Sequence, residues 1–140
     1  MKYFLEDLSD EQWKYNMERY WAAFEKIKRK LPSNVAEILS SKFLHDSEIL
    51  AFVFQKESEG NKFRYDLQIK IKNEMFEGSI VHRDVVDYQN TYNNPLKDRF
   101  LCEYLYGEVY YEQGLWIHNV RYTLENELMI RCKKIEWVSA

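Results

Sequence analysis

The most regular pattern in the chain is an apolar stripe over residues 13–31. Six apolar residues recur there at alternating spacings of four and three, which is the period of one helix face. They are Trp13, Met17, Tyr20, Phe24, Ile27 and Leu31. Ser9 and Gln12 match the S-x-x-Q capping box, and Pro32 blocks continuation of a helix. The pattern therefore predicts an amphipathic helix that begins near Ser9 and ends near Leu31.

After this helix the period of the pattern changes. A second, shorter helix is predicted from Val35 to Lys42, opened by Ser33 or Asn34. From residue 44 onward the period is about two, and in residues 62–72 every second residue is apolar. Residues 48–55, EILAFVFQ, are apolar on both sides, which predicts a strand in the centre of a sheet.

The rest of the chain continues as strands and turns. Turn chemistry at residues 58–61, SEGN, predicts a hairpin after the first strand. Further strands are predicted at about 75–87, 100–112, 115–124 and 127–138, with turns at Asn73-Glu74, Gln113-Gly114 and Glu125-Asn126. For residues 95–106 a strand and a short helix both remain possible, because Asn94-Pro95 is also a helix-opening signal.

Two helices followed by a run of hairpins indicate an α+β domain. We expect two N-terminal helices packed on one face of a largely antiparallel, about six-stranded meander sheet. Residues 1–140 are predicted to form a single domain, helical over 9–43 and sheet over 47–138.

Composition and charge exclude several classes of function. No apolar run approaches the roughly 20 residues of a membrane span, and there is no secretion signal at Met1, so a cytoplasmic protein without membrane contact is expected. The net charge is −3, and residues 74–112 carry three basic and eight acidic side chains. An acidic surface repels phosphate backbones, so nucleic-acid binding is not expected.

Candidate catalytic chemistry centres on three histidines. The stretch LHDSEI at 44–49 contains His45 and Asp46, and a metal-dependent hydrolase could combine these two with His82 and His118. None of the histidines has the spacing of a known ligand motif, and there is no glycine-rich phosphate loop or nucleophile elbow. A structural corner is therefore the favoured interpretation of LHDSEI, with no catalytic residue, metal or cofactor.

In the corner interpretation each residue of LHDSEI has a structural task. Leu44 closes the helices onto the core, and the side chains of Asp46 and Ser47 bond nearby backbone N–H groups. His45 would fix the corner by bonding a carbonyl or a carboxylate.

A recognition surface is predicted on the strand around residues 100–112. Strand parity puts tyrosines and carboxylates on one side, a combination suited to a basic protein partner, while Leu101, Leu105, Val109 and Tyr111 face the core. The predicted contact residues on this strand are Tyr104, Tyr106, Glu108, Tyr110 and Glu112. Four residues in or near the irregular connection at 88–98, which precedes this strand, would extend the surface: Asp84, Asp87, Tyr88 and Tyr92. A solvated sheet face with cross-strand tyrosine pairs explains the same pattern.

Four short motifs suggest a family. Met1-Lys2-Tyr3-Phe4, the LHDSxI corner, Tyr104-Leu105-Tyr106-x-Glu108 and Glu127-Leu128-x-Ile130 together resemble a family of small bacterial proteins, mostly from Gram-positive genomes, known as a domain of unknown function. In size and acidity such proteins are also similar to immunity proteins of polymorphic-toxin systems. The resemblance implies a cytoplasmic α+β protein without established catalytic residues.

Three functions are therefore carried forward. The first is a non-catalytic protein-binding domain, possibly an immunity protein that neutralises a basic toxin through the tyrosine and glutamate side chains. The second is a small metal-dependent hydrolase centred on His45, Asp46, His82 and His118. The third is a self-associating structural domain, since the sequence leaves the oligomeric state open.

Overall fold

The computed structural model describes residues 1–91, 102–123 and 126–140. The helices are α1 (Asp10–Ile27) and α2 (Ser33–Leu39), separated by a turn of 3₁₀ helix at Lys28–Lys30. The strands are β1 (Ser47–Glu59), β2 (Lys62–Lys72), β3 (Glu77–Thr91), β4 (Glu103–Glu112), β5 (Leu115–Tyr122) and β6 (Asn126–Ser139). Two helices and six antiparallel strands confirm the predicted α+β class. In the open region 95–106, residues from Glu103 onward are strand, and residues 95–101 lie outside the described residues.

Helix α1 begins where the capping box predicts. The N–H of Gln12 donates to Oγ of Ser9 at 3.2 Å, and the N–H of Ser9 donates to Oε1 of Gln12 at 3.0 Å. Along the predicted stripe Tyr20 and Phe24 are buried, whereas Met17 keeps 36% of its surface exposed. The stripe is therefore core at its centre but leaves one apolar side chain in contact with solvent.

The strand order differs from a meander at one place. The order is β1-β2-β3-β6-β5-β4, with β4 returning to β1 so that the sheet closes into a barrel. The four predicted hairpin pairings form, but β3 pairs with β6, from Gly78 opposite Ser139 to Thr91 opposite Glu127. The sequence between β3 and β4 is longer than the two to five residues of a typical hairpin loop, whereas β3 and β6 are the longest strands, of 15 and 14 residues, and pair along nearly their whole length.

Strand β1 does not have the predicted central, fully buried position. It pairs with β2 along its length, and its pairs with β4 within the described residues are Ser47 opposite Tyr104 and Glu48 opposite Glu103. Beyond this closure Phe52 is 37% exposed and Phe54 55% exposed. The run EILAFVFQ was expected to be covered on both sides, and among the described residues its second half is not.

The core joins the helices to the inside of the closed sheet. α1 contacts β4 and α2 contacts β6, and these contacts do not confirm the packing of both helices on a single face. None of the helices in the described residues has the length and apolar character needed to cross a membrane. The buried core residues include Phe24, Val35, Leu39, Leu67, Ile69, Ile80, Val120, Leu128, Ile130 and Ile135.

The LHDSEI stretch forms the corner that leads from α2 into β1. Asp46 adopts a left-handed backbone, with φ of 65°, and its N–H donates to the carbonyl of Tyr104 at 2.8 Å. Leu44 is buried, and the Ser47 hydroxyl donates to the carbonyl of Phe43 at 2.7 Å. His45 bonds the carbonyl of Leu105 through Nδ1, as the corner interpretation predicts. The prediction for the side chains of Asp46 and Ser47 was wrong: the Ser47 hydroxyl bonds a carbonyl, and within the described residues the Asp46 carboxylate lies beside His45 at 3.4 Å and accepts from no backbone N–H group.

Asn73, at the predicted turn between β2 and β3, ties this corner to the sheet. Its Nδ2 donates to the carbonyl of Phe43 at 2.8 Å and to Oγ of Ser47 at 2.9 Å. Its Oδ1 accepts from the N–H groups of Met75 at 2.8 Å and Phe76 at 2.9 Å. One side chain thus satisfies groups on both sides of the corner.

We expect Asn73→Ala to lower the free energy of unfolding by about 2–3 kcal/mol, because four hydrogen bonds are lost and partly buried backbone groups stay unpaired. Asn73→Asp keeps the two acceptor bonds and should cost about half as much. Urea unfolding monitored by tryptophan fluorescence measures both. Asn61→Ala, in the exposed β1–β2 turn, is the control and should change stability by less than about 0.5 kcal/mol. Equal effects at positions 61 and 73 would contradict this role.

Candidate functional site

Strand β4 carries most of the predicted recognition surface, but most of those side chains are inside the protein. Tyr104 is 2% exposed, Glu108 is fully buried and Tyr110 is 9% exposed. Tyr106 is half-buried, and Glu112 is the member of the strand set that stays exposed. The prediction of an open tyrosine and glutamate face on β4 was therefore wrong for its buried members.

A β-bulge explains why strand parity failed here. The register between β4 and β5 shifts after Tyr104, which pairs with Tyr122, while Tyr106 pairs with Arg121. The extra residue reverses the side to which the following residues point. Tyr104 consequently lies on the inner side with Val109, and Tyr106 and Glu108 lie on the outer side. Of the predicted core residues, Val109 is buried and Leu101 lies outside the described residues.

The outer side of β4 is covered by the segment that precedes α1. The Glu108 carboxylate accepts hydrogen bonds from the N–H groups of Lys2 at 2.9 Å, Tyr3 at 3.1 Å and Phe4 at 2.8 Å. Nζ of Lys2 reaches Glu112 at 2.7 Å and lies 4.4 Å from the ring centroid of Tyr110. The carboxylates expected to hold a foreign basic chain therefore hold the chain's own N-terminal segment.

The inner side of β4 joins a chain of buried polar side chains. Nδ1 of His82 lies 3.0 Å from the carbonyl of Leu67, and Nε2 of His82 lies 2.8 Å from Nδ1 of His118. Nε2 of His118 lies 3.0 Å from the hydroxyl of Tyr104. A Cβ at residue 107 would lie 1.7 Å from that hydroxyl, so the position of the Tyr104 side chain requires glycine at residue 107.

The carbonyl of Leu67, at one end of this hydrogen-bonded chain, determines which atoms of the chain carry the protons. A carbonyl only accepts, so Nδ1 of His82 must donate to Leu67, which leaves Nε2 as an acceptor in the neutral ring. Nδ1 of His118 therefore donates to His82, and Tyr104 donates to Nε2 of His118. Burial lowers the pKa of His82 to about 4 and that of His118 well below its usual range, and burial raises the pKa of Tyr104. The chain is neutral, and every ring nitrogen is occupied.

His45 lies apart from this pair, at the corner before β1. Its Nε2 is 3.4 Å from Oδ1 of Asp46, and its ring stacks on Tyr106 with centroids 4.7 Å apart. The structure thus does not bring His45, Asp46, His82 and His118 together. Within residues 1–91, 102–123 and 126–140 no three His, Cys, Asp or Glu side chains are grouped so that they could hold a metal ion.

Asp84 has a structural task in β3. Its backbone is left-handed, with φ of 57°, and its N–H donates to Oδ1 of Asp66 at 3.0 Å. Arg64 and Arg83 also bond the buried Asp66 carboxylate. Burial alone would raise the pKa of Asp66, but these hydrogen bonds outweigh it and lower that pKa. The Asp84 carboxylate itself pairs with Lys133 at 3.2 Å.

The largest feature that sequence reasoning missed is an exposed aromatic cluster on β1, β2 and β3. Phe54 lies at its centre, with ring centroids 5.7 Å from Tyr65 and 5.8 Å from Tyr88. We call the following five residues the aromatic surface: Phe52, Phe54, Phe63, Tyr65 and Tyr88. Each is between 37% and 60% exposed. Of the predicted site residues, Tyr88 belongs to it, Asp87 precedes Tyr88 and is exposed, and Tyr92 lies outside the described residues.

A signal for this cluster is present in the sequence. On β1 the residues Phe52 and Phe54 share a face with Ile69 and Leu67 of β2, which are buried. The same face continues to Tyr65 and Phe63, toward the hairpin tip and beyond the point where β4 closes the barrel. The signal is the period-two spacing of Phe52 with Phe54 and of Phe63 with Tyr65, and the predicted bounds of the first strand, 48–55, hid it because β1 continues to Glu59.

Comparison with known proteins finds no match to a family model, to a curated protein or to a solved structure. The resemblance to a family of small bacterial proteins therefore stays a prediction. The functional argument depends on the geometry of this chain alone.

The buried histidines predict a stability that falls with acid. Unfolded His82 gains a proton near pH 6.5 and the folded ring near pH 4, so between these values the unfolded state binds more protons and is favoured as pH falls. The loss contributed by His82 should approach about 3 kcal/mol at pH 4. Urea unfolding at pH 7.0, 6.0, 5.0 and 4.5 measures it, above the range in which Asp66 titrates.

A variant without the two buried rings tests this explanation. The double variant His82→Gln/His118→Gln can still donate and accept along the chain but does not titrate, so its stability should change much less over this pH range. The explanation fails if the double variant loses stability as steeply as the wild type.

The Glu108 contacts predict that this residue anchors the N-terminal segment. Glu108→Gln replaces one acceptor oxygen by an amide that faces N–H groups, and we expect a loss of about 2–4 kcal/mol of stability. The amide hydrogens of Lys2, Tyr3 and Phe4 should exchange faster with solvent. Glu112→Gln, which removes an exposed ion pair, should have little effect on stability and leave these amides protected. Unchanged exchange in Glu108→Gln would contradict the anchoring role.

Proposed function

We propose that this chain is a non-catalytic protein-binding domain that contacts its partner through the aromatic surface. The observation that carries the proposal is the cluster of Phe54, Tyr65 and Tyr88, whose rings pack on each other while remaining half exposed. Exposed aromatic clusters are uncommon on monomeric surfaces and are typical of interface centres.

Energetics favour these side chains as anchors. Burial of apolar surface contributes roughly 25 cal/mol per Å², and aromatic side chains have few rotatable bonds to immobilise on binding. Interface hot spots are enriched in such residues. Strand β1 pairs with β2 without a register shift from Ala51 opposite Lys70 to Glu59 opposite Lys62, so the four rings on these two strands are presented on a regular hairpin.

The charged side chains that remain exposed near the aromatic surface indicate what kind of partner it could bind. The buried members of the predicted set, Tyr104, Glu108 and Tyr110, are not available for contact without rearrangement. Asp87 remains an exposed carboxylate next to Tyr88 along β3, and Lys56 lies over the ring of Phe63 at 3.8 Å. If the chain is an immunity protein, its partner is a basic toxin, and Asp87 would pair with a cationic side chain of that toxin. The proposal itself requires an apolar contact patch on the partner.

The geometry supports catalysis less well. The ring nitrogens of His82 and His118 are used within the buried chain. Burial also raises the pKa of the Cys132 thiol to about 12, which keeps it protonated and poorly nucleophilic.

The test is affinity capture from the native host with paired baits. A partner held by the wild-type chain should bind the double variant Phe54→Ser/Tyr88→Ser at least about tenfold more weakly, since two anchors are lost. Tyr15→Ser, which changes a 61% exposed tyrosine on α1, is the control and should bind as the wild type does. Calorimetry on the purified pair gives the affinities.

Two further measurements identify the kind of partner. Asp87→Lys should slow association with a basic partner at low salt and have little effect at high salt. If sedimentation shows that the wild-type chain itself dimerises and the double variant does not, the partner is a second copy. Equal capture of the partner by wild type and double variant would show that the aromatic surface is not the contact.

A further inference from the structure

A cleft lies between the helical part of the chain and strand β4, apart from the aromatic surface. It has a volume of about 410 Å³, which is within the range of roughly 300–1,000 Å³ typical of small-molecule sites. Its walls come from α1, from residues 39–45 and from the bulged part of β4. The residues on which the argument depends are Phe4, Met17, Trp21, Lys42, His45 and Tyr106.

The walls of this cleft are tied together by hydrogen bonds that do not cross its space. His45 Nδ1 donates to the carbonyl of Leu105, and the N–H of Asp46 donates to the carbonyl of Tyr104 at 2.8 Å. On the other side the N–H of Val109 donates to the hydroxyl of Tyr20 of α1 at 2.9 Å. These bonds fix the distance between α1, the corner and β4, so the gap is not free to close by simple collapse.

The lining is apolar and largely aromatic. Met17 belongs to the apolar stripe of α1 and still exposes 36% of its surface. The Tyr106 ring contacts the rings of Phe4, His45 and Trp13, with centroids 5.6, 4.7 and 4.8 Å apart. An aromatic lining favours an aromatic ligand, because rings attract each other in offset or edge-to-face contacts.

The charged groups in the cleft are basic. Lys42 and the imidazole of His45 line it, and none of the lining residues is acidic. Lys42 forms no salt bridge within the part of the chain that the structure describes, and its ammonium lies 5.3 Å from the ring of Phe43. The nearby carboxylate, Asp46, is beside His45 at 3.4 Å and is not part of the lining.

We infer that this cleft binds a small planar aromatic carboxylate, with the ring system between Met17, Trp21 and Tyr106 and the carboxylate at Lys42. The inference does not depend on the protein-binding proposal, because the two sites share no residue. An apolar body fits the lining, and a negative group complements the unpaired ammonium.

The probe is 2-naphthoate, and its uncharged counterpart is 2-naphthylmethanol, which has the same ring system. With ¹³C-methyl methionine labelling, the Met17 methyl should shift saturably with 2-naphthoate, because ring currents act on a group in contact with the ligand. Met75, which is 63% exposed and outside the cleft, should not shift. Calorimetry should give tighter binding of 2-naphthoate than of the alcohol.

Paired variants test the site and the charge separately. Lys42→Gln should weaken 2-naphthoate about fivefold and leave the alcohol nearly unchanged, as expected for one exposed ion pair. Lys56→Gln, a second lysine that lies over a phenylalanine ring, is the matched control and should have no effect. Met17→Trp fills the cleft and should abolish binding of both probes. Should that variant not fold, Met17→Glu should weaken 2-naphthoate more than the alcohol.

Three outcomes would overturn the inference. The first is no saturable shift of the Met17 methyl up to the solubility limit of the probe. The second is binding that survives in folded Met17→Trp. The third is equal affinity for the two probes together with no effect of Lys42→Gln, which would leave a neutral apolar cleft without selectivity for a carboxylate.

Discussion

The closure of the sheet between β1 and β4 is the constraint on which the other features depend. Two residue pairs make it, Ser47 with Tyr104 and Glu48 with Glu103, and the left-handed Asp46 leads the chain into it. On one side of this short contact the helices and the corner lie against β4, where they enclose the cleft. On the other side, within residues 1–91, 102–123 and 126–140, β1 continues paired with β2 and the rings of the aromatic surface are exposed. The short contact between β1 and β4 therefore lies between the two candidate binding sites.

Because Glu108 is buried, the number of acidic residues in this chain overstates the negative charge at its surface. A carboxylate in a nearly neutral environment, held by three backbone N–H groups, needs no cation for its stability. Counting it as surface charge overestimated the attraction for a basic partner. The acidic excess in residues 74–112 is partly internal structure, and Asp84 and Glu112 are further examples because each pairs with a lysine of the same chain.

Periodicity in the sequence predicted the local elements well. The capping box at Ser9 and the alternation in β2 are set by neighbours within a few residues, which a sequence displays directly. What the sequence did not display was long-range: the pairing of β3 with β6, the bulge at Leu105 and the N-terminal segment over Glu108. One inserted residue in β4 was enough to put Tyr104 on the side opposite to Tyr106, although both were predicted on the same side.

The chain of Tyr104, His118 and His82 has its three donors pointing the same way, toward the carbonyl of Leu67. No member can reverse its proton without forcing its neighbours to reverse, and the carbonyl at the end forbids that. The three side chains are consequently one energetic unit that spans β4, β5, β3 and β2. Loss of His118 would leave both other side chains without the partner they share, and loss of either other member would leave His118 with an unmatched nitrogen, so the effects of substitutions along the chain are not additive.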